Sequence, residues 1–206
     1  MSKARLEAFS DGIFAIAITL LVLTIAQPTD YHHLASELTN RWPSFAAYAV
    51  SFAIIGIMWL NHHTIFSHLA HSDRGLVLCN LLLLLTIAFL PYPTEVFGQS
   101  LREGDGANVA AVFYSGTMAV NALAWAGLWL YASSGRRLLV PSFPESERRM
   151  ATFLFLMGTV PYLLAVGVAF VSPVASLIIQ GVFAVYYALD PVSRRVEKSS
   201  SDLRSA

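Results

Sequence analysis

The chain has 206 residues, of which 56% are hydrophobic and 13% charged, and its formal net charge is zero. Soluble domains carry about a quarter charged residues, so this composition excludes an ordinary globular protein, and the balanced charge argues against nucleic acid as a partner. The lone cysteine, Cys79, excludes an intramolecular disulfide and argues against a thiolate metal centre.

A helix needs about 20 apolar residues to cross the hydrocarbon core of a bilayer. Six segments meet or approach that length: 9–26, 43–60, 76–97, 109–132, 150–171 and 173–189. They predict an all-α polytopic membrane protein with six transmembrane helices in one domain over 1–191. The remaining stretch, 192–206, is polar and Ser-rich, and is expected to be a disordered tail. Near the amino terminus, Lys3, Arg5 and the small residues around Ala26 resemble a secretory signal. Asp11 interrupts that segment, however, and its apolar run outlasts a typical signal core, so it is expected to be retained. Ser172 and Pro173 join the last two segments into a tight hairpin, and Pro91, Pro93 and Pro161 are expected to kink or end helices.

Basic residues orient these spans. With the amino terminus inside, inner segments hold Lys3, Arg5, Arg74, Arg136, Arg137, Arg148, Arg149, Arg194, Arg195, Lys198 and Arg204. The outer loops hold only Arg41 and Arg102, each accompanied by acids. That asymmetry predicts that both termini are cytoplasmic. No internal repeat of clear period and no inverted symmetry between the halves is visible, which weakens a secondary-transporter reading.

The first segment carries the most information. Ser10 and Asp11 suit a helix cap, because their oxygens accept from otherwise unpaired N–H groups. Alternatively Arg5, Glu7 and Phe9 extend the helix backwards, and Asp11 then lies inside it and needs a partner. Further on, Ile13, Ile16, Leu20 and Leu23 recur at helical spacing as one apolar stripe, with Thr19 beside it. Such a stripe is either a seam between helices or a pore wall, since apolar rings gate ion flow by dewetting and hydroxyls coordinate partly dehydrated cations. No TVGYG-like loop occurs, which excludes a potassium filter of that type.

The run Arg5-x-x-x-Phe9-Ser10-Asp11-Gly12-Ile13-Phe14-Ala15-Ile16, continuing through Thr19 to Leu23, resembles the signature of the transmembrane protein 175 family. Its members are endosomal and lysosomal potassium channels in animals, with short prokaryotic relatives. Two further stretches fit the family: Trp59-Leu60-Asn61-His62-His63 and Phe89-Leu90-Pro91-Tyr92-Pro93-Thr94. The resemblance spans essentially the whole chain. It implies a homotetramer of six-helix subunits whose first helices line a central pore, in the cell membrane of a prokaryote. It also implies a constriction at Ile16, with Leu20 and Leu23 further along the pore face and Thr19 as a nearby ion-coordinating hydroxyl. Arg5, Phe9, Ser10, Asp11, Trp59, His62 and His63 are expected to brace the pore helix at its cytoplasmic end. The implied function is a potassium-preferring cation channel whose partners are monovalent cations, the bilayer and its own copies, without a cofactor.

Other polar residues admit other readings. His62, His63, His68 and His71 lie close in sequence, and His68 and His71 have a spacing that suits a zinc ligand pair, although only Asp73 stands near to complete it. Histidine also titrates near neutral pH, which would make conduction pH-sensitive. Asn80, Asn121 and Gln180 are amides within spans, expected to make interhelical hydrogen bonds. Glu95 is either a vestibule acid or a surface one. Trp42, Trp129, Tyr131 and Tyr162 are expected at the membrane interfaces. A transporter using the midplane amides, or a histidine-ligated metalloprotein, are the competing classes. No nucleophile–base pair, phosphate loop or basic stripe points to an enzyme or a nucleic-acid binder.

Overall fold

The computed structural model describes residues 2–189, with side chains through residue 185. The polar tail 192–206, and with it Arg194, Arg195, Lys198 and Arg204, lies outside the described residues. Regular structure within them is helical apart from a single antiparallel bridge between Leu69 and Leu139.

Helix α1 runs Lys3–Leu20 and tightens into a 3₁₀ turn, Leu21–Thr24. After a short, exposed helix α2 (Leu34–Asn40) come α3 (Trp42–Ser67), α4 (Arg74–Phe89), α5 (Pro91–Glu103) and α6 (Ala107–Ser133). Helices α7 (Glu145–Met157), α8 (Thr159–Ala169) and α9 (Pro173–Leu189) complete the bundle. Among the described residues, five stretches are long and apolar enough to cross a membrane: Lys3–Thr24, Trp42–Ser67, Arg74–Glu103, Ala107–Arg136 and Glu145–Ala169. The sixth apolar segment, α9, has 17 residues, about 26 Å of helix, which is a little short of a hydrocarbon core.

Two spans are broken where the backbone chemistry demands it. Pro91 has no N–H to give, so the helix tightens first, with Leu90 N–H donating three residues back to Ile87 O, before α5 continues the span. The fifth span breaks at Gly158, whose N–H still donates to Leu154 O at 2.7 Å. Pro161 follows three residues later and leaves the Met157 carbonyl without its helical donor.

Helix α6 is the hub of the bundle, packing against α4, α5, α7, α8 and α9, and Tyr114, Met118 and Leu128 on it are fully buried. Helices α3 and α5 approach so closely that a Cβ on Gly98 would stand 2.9 Å from the Ser44 Cα, a position only glycine can occupy. Several buried polar side chains pair between helices. Ser51 Oγ lies 2.9 Å from Thr94 Oγ1 and 2.7 Å from the Tyr114 hydroxyl, joining α3, α5 and α6. Asn121 donates to Thr86 Oγ1 at 2.6 Å, and Gln180 to Ser115 Oγ at 3.1 Å.

Most basic residues within the described region, Arg41 and Arg102 excepted, gather at the end of the bundle that carries the amino terminus. Lys3 Nζ donates to Leu69 O, Arg137 pairs with Asp73 at 2.8 Å, and Arg136, Arg148 and Arg149 converge on Glu145. At the opposite end Arg41 is buried and donates to Glu37 and to Ala26 O. One expected interfacial anchor lies elsewhere: Trp129 is buried in protein, with its indole N–H given to Thr152 Oγ1, because α7 covers it.

Candidate functional site

Helix α1 begins at Lys3, and Ser2 accepts from Arg5 N–H as its cap. Ser10 and Asp11 therefore lie inside the helix, and both need partners other than its first turn. Ser10 is fully buried. Its hydroxyl donates to Leu6 O at 2.8 Å, which leaves an oxygen lone pair to accept from Asn80 Nδ2 at 2.9 Å. Asn80 Oδ1 in turn lies 2.9 Å from His62 Nε2. An amide oxygen can only accept, so His62 carries its proton on Nε2. One chain of hydrogen bonds thus ties α1 to α4 and α3 within an otherwise apolar interior. Rings enclose the imidazole, with Phe66 stacked at 4.1 Å and Phe14 edge-on at 5.4 Å.

Asp11 is held separately and nearer the surface, where Trp59 Nε1 donates to its Oδ1 at 2.8 Å. His63 stacks on Trp59 with ring centres 6.5 Å apart. The two systems share α1 and α3 but point to different sides of α1, as expected for adjacent residues 100° apart on a helix.

The remaining face of α1 is bare. Leu6, Ser10, Phe14, Ala17 and Leu21 form its buried side, whereas Ile16 is 57% exposed, Leu20 42% and Leu23 72%. Thr19 is exposed too, and its hydroxyl donates to Ile16 O at 2.9 Å, so its lone pairs face outward. Ile13 sits at the edge of the stripe, half-buried against the core. Arg5 and Phe9, expected among the braces, are exposed and make no side-chain hydrogen bond within the described residues. Phe9, Ile16 and Leu23 are seven residues apart, which aligns Phe9 with the bare face rather than the bonded one.

Asn80 is the network member that the family motifs did not supply. The signal for it was present: an amide in the middle of the apolar run around Leu83 must find a partner. Of the other histidines, His68 lies 2.7 Å by Nδ1 from Thr64 O and packs edge-on to Phe143. No group of three or more His, Cys, Asp or Glu side chains gathers among the described residues. Glu95 is exposed on α5.

A bundle of this kind, apolar around its circumference and braced through buried hydrogen bonds, is a multi-pass helical membrane protein. The sequence model of the family described as endosomal/lysosomal potassium channel TMEM175 matches residues 5–91. The chain is 43% identical over 196 residues to potassium channel B446_29190 of Streptomyces collinus, covering 92% of this chain and 93% of that protein. It is 40% identical over 116 residues to the human endosomal/lysosomal proton channel TMEM175, covering 50% of this chain and 23% of the human one. In three dimensions it matches the crystal structure of a lysosomal potassium-selective channel TMEM175 homolog from Chamaesiphon minutus, with a TM-score of 0.82, 39% identity, and coverage of 91% of this chain and 96% of the other. The chain belongs to the TMEM175 family, a family of ion channels rather than of enzymes.

Proposed function

We propose that this protein is a potassium-preferring cation channel of a prokaryotic cell membrane, a homotetramer of six-span subunits with both termini cytoplasmic and α1 lining the pore. The observation that carries this reading is the two-sided character of α1. One side is fixed to α3 and α4 by Ser10, Asn80 and His62, while the other presents Ile16, Leu20 and Leu23 to whatever lies outside the single chain. A single helix stripe cannot enclose a pore, so several copies must contribute one each. The relatives of similar length are named as potassium channels, which supports the choice of ion. Clustering of Lys and Arg at the amino-terminal end of the bundle supports the orientation.

In this reading Ile16 forms the constriction, Leu20 and Leu23 continue the apolar wall, and Thr19 offers a hydroxyl oxygen near the narrowest point. An isoleucine ring supplies no oxygen ligand, so preference for potassium over sodium is weaker than in a carbonyl-lined filter. The bracing residues act indirectly: Ser10 and Asp11 set the rotation of α1, and that rotation decides which side chains meet the ion.

The test is reversal-potential recording on the purified protein in planar bilayers under opposed potassium and sodium gradients. A passive current reversing nearer the potassium equilibrium potential is the expected result. Uptake that occurs only with a coupled counter-ion, without passive current, would contradict the channel reading.

A further inference from the structure

Away from α1, a cavity of about 420 Å³ opens between α3, α6 and the α7–α8 span. Its size and mixture of apolar walls with a few polar groups are those of a small-molecule site between the helices of a bundle. Towards the amino-terminal end of the bundle it is lined by the polar Asn61, Thr64, His68 and Glu147; the rest of its wall is mostly apolar, with residues such as Ile54 and Leu154, and includes Asn121 and Tyr162.

Beside the Asn61 amide, which can donate or accept, the polar end offers acceptors. Thr64 Oγ1 donates its proton to Leu60 O, so towards the cavity it can only accept. His68 Nδ1 faces a carbonyl and must donate, which leaves Nε2 of the neutral ring as an acceptor. Glu147 has no hydrogen-bond or ion-pair partner among the described residues, in contrast to Glu145 two positions earlier, which receives three arginines. No lysine or arginine lines the cavity.

Its wall is a run of aromatic rings. Phe143 packs on Trp129 at 6.1 Å, Trp129 on Phe155 at 5.5 Å and Phe155 on Trp125 at 6.4 Å. Phe155 stacks on Trp125 and Trp129, so these rings give the cavity a continuous apolar wall along which a hydrocarbon tail can lie. An unpaired carboxylate and two acceptors at one end of a largely apolar, aromatic-walled cavity together describe a receptor for a protonated amine bearing a hydrophobic tail. We infer that this cavity binds amphiphilic amines, with the ammonium head at Glu147 and His68 and the tail lying along Trp125 and Phe155. The occupant enters from the membrane side and does not use the α1 face, so the site stands independently of the conduction reading.

Tryptophan fluorescence tests this directly. The purified protein, in nanodiscs of phosphatidylcholine, is titrated with dodecylamine brominated near its tail end, and with the matching alcohol and carboxylate. The expected result is saturable quenching by the amine over the linear background that all three probes produce by partitioning. Glu147→Gln should weaken the amine's apparent affinity about tenfold, the loss expected for a charge-assisted hydrogen bond, and leave the alcohol unchanged. Ala151→Leu fills the cavity from its wall without touching the charge and should abolish the saturable component while the gel-filtration profile stays that of the parent. Equal quenching by amine and alcohol, insensitive to Glu147→Gln, would mean a non-selective acyl slot and overturn the proposal. Stronger binding of the carboxylate, or full amine affinity in Ala151→Leu, would overturn it as well.

Discussion

The two halves of the first helix are built by different physics. From Leu6 to Phe14 its position is set by directional bonds: Ser10 to Asn80, Asn80 to His62, Asp11 to Trp59. From Ile16 to Leu23 the helix makes only apolar contacts on its buried side, and Thr19 and Thr24 give their hydroxyl protons back to its own carbonyls. Directional bonds fix rotation, because a turn of the helix breaks them, whereas apolar contacts exchange partners at little cost. The first half is therefore an anchor, and the second is held less specifically and ends in a 3₁₀ turn at Leu21.

The comparison breaks most severely at Asn80. Asn80→Ala removes both hydrogen bonds of the central link, opens a small void and leaves the buried His62 N–H unpaired. It should cost about 3 kcal/mol of stability, read as a fall in the thermal unfolding midpoint of the detergent-solubilised protein. A midpoint unchanged from the parent would mean that the anchor is not in the buried chain. Trp59→Phe keeps the ring and loses only the N–H to Asp11, at a partly exposed site. About 1 kcal/mol or less is expected by the same measurement. If this loss exceeded that of Asn80→Ala, the outer bond would be the principal anchor.

The smallest effect concerns the same end of the bundle and depends on pH. Asp73 caps α4, and its carboxyl is held below the ordinary carboxylate range, chiefly by the Leu76 N–H, with Tyr131 and Arg137 adding to it. A lowered folded value means that this stabilisation is fully present above the ordinary carboxylate pKa of about 4 and is lost as pH falls through the folded value. Asp73→Asn should accordingly lower the unfolding midpoint slightly at neutral pH, with the gap to the parent closing in acid. A gap independent of pH would remove the charge from the explanation.

Much of this was legible in the sequence, and the failures have physical causes. Runs of apolar residues located the spans, since nothing else satisfies a bilayer, and Pro91 marked a real break. The stripe through Ile16, Leu20 and Leu23 was visible from spacing, and the structure leaves those residues exposed. Spacing could not say whether Ser10 capped a helix or lay within one, because that depends on whether Lys3 to Phe9 is helical. Nor could it separate Arg5 and Phe9 from Ser10 and Asp11: a motif lists neighbours along the chain, while a helix sends them to different sides. Trp129 looked interfacial by type and is buried, because burial depends on which helix covers it. Asn80 was recognised as needing a partner, but its two partners lie 70 and 18 residues away.

The central claim is that the bare face of α1 is what the ion meets, with Ile16 at the narrowest point. The most direct test is single-channel recording of Ile16→Asn beside the parent in the same bilayer, measuring conductance and the potassium-to-sodium reversal potential together. An amide ring hydrates the constriction, so conductance should rise severalfold and the reversal potential should move towards that of a non-selective pore. Channels of Ile16→Asn with the parent's conductance and the parent's selectivity would contradict the assignment.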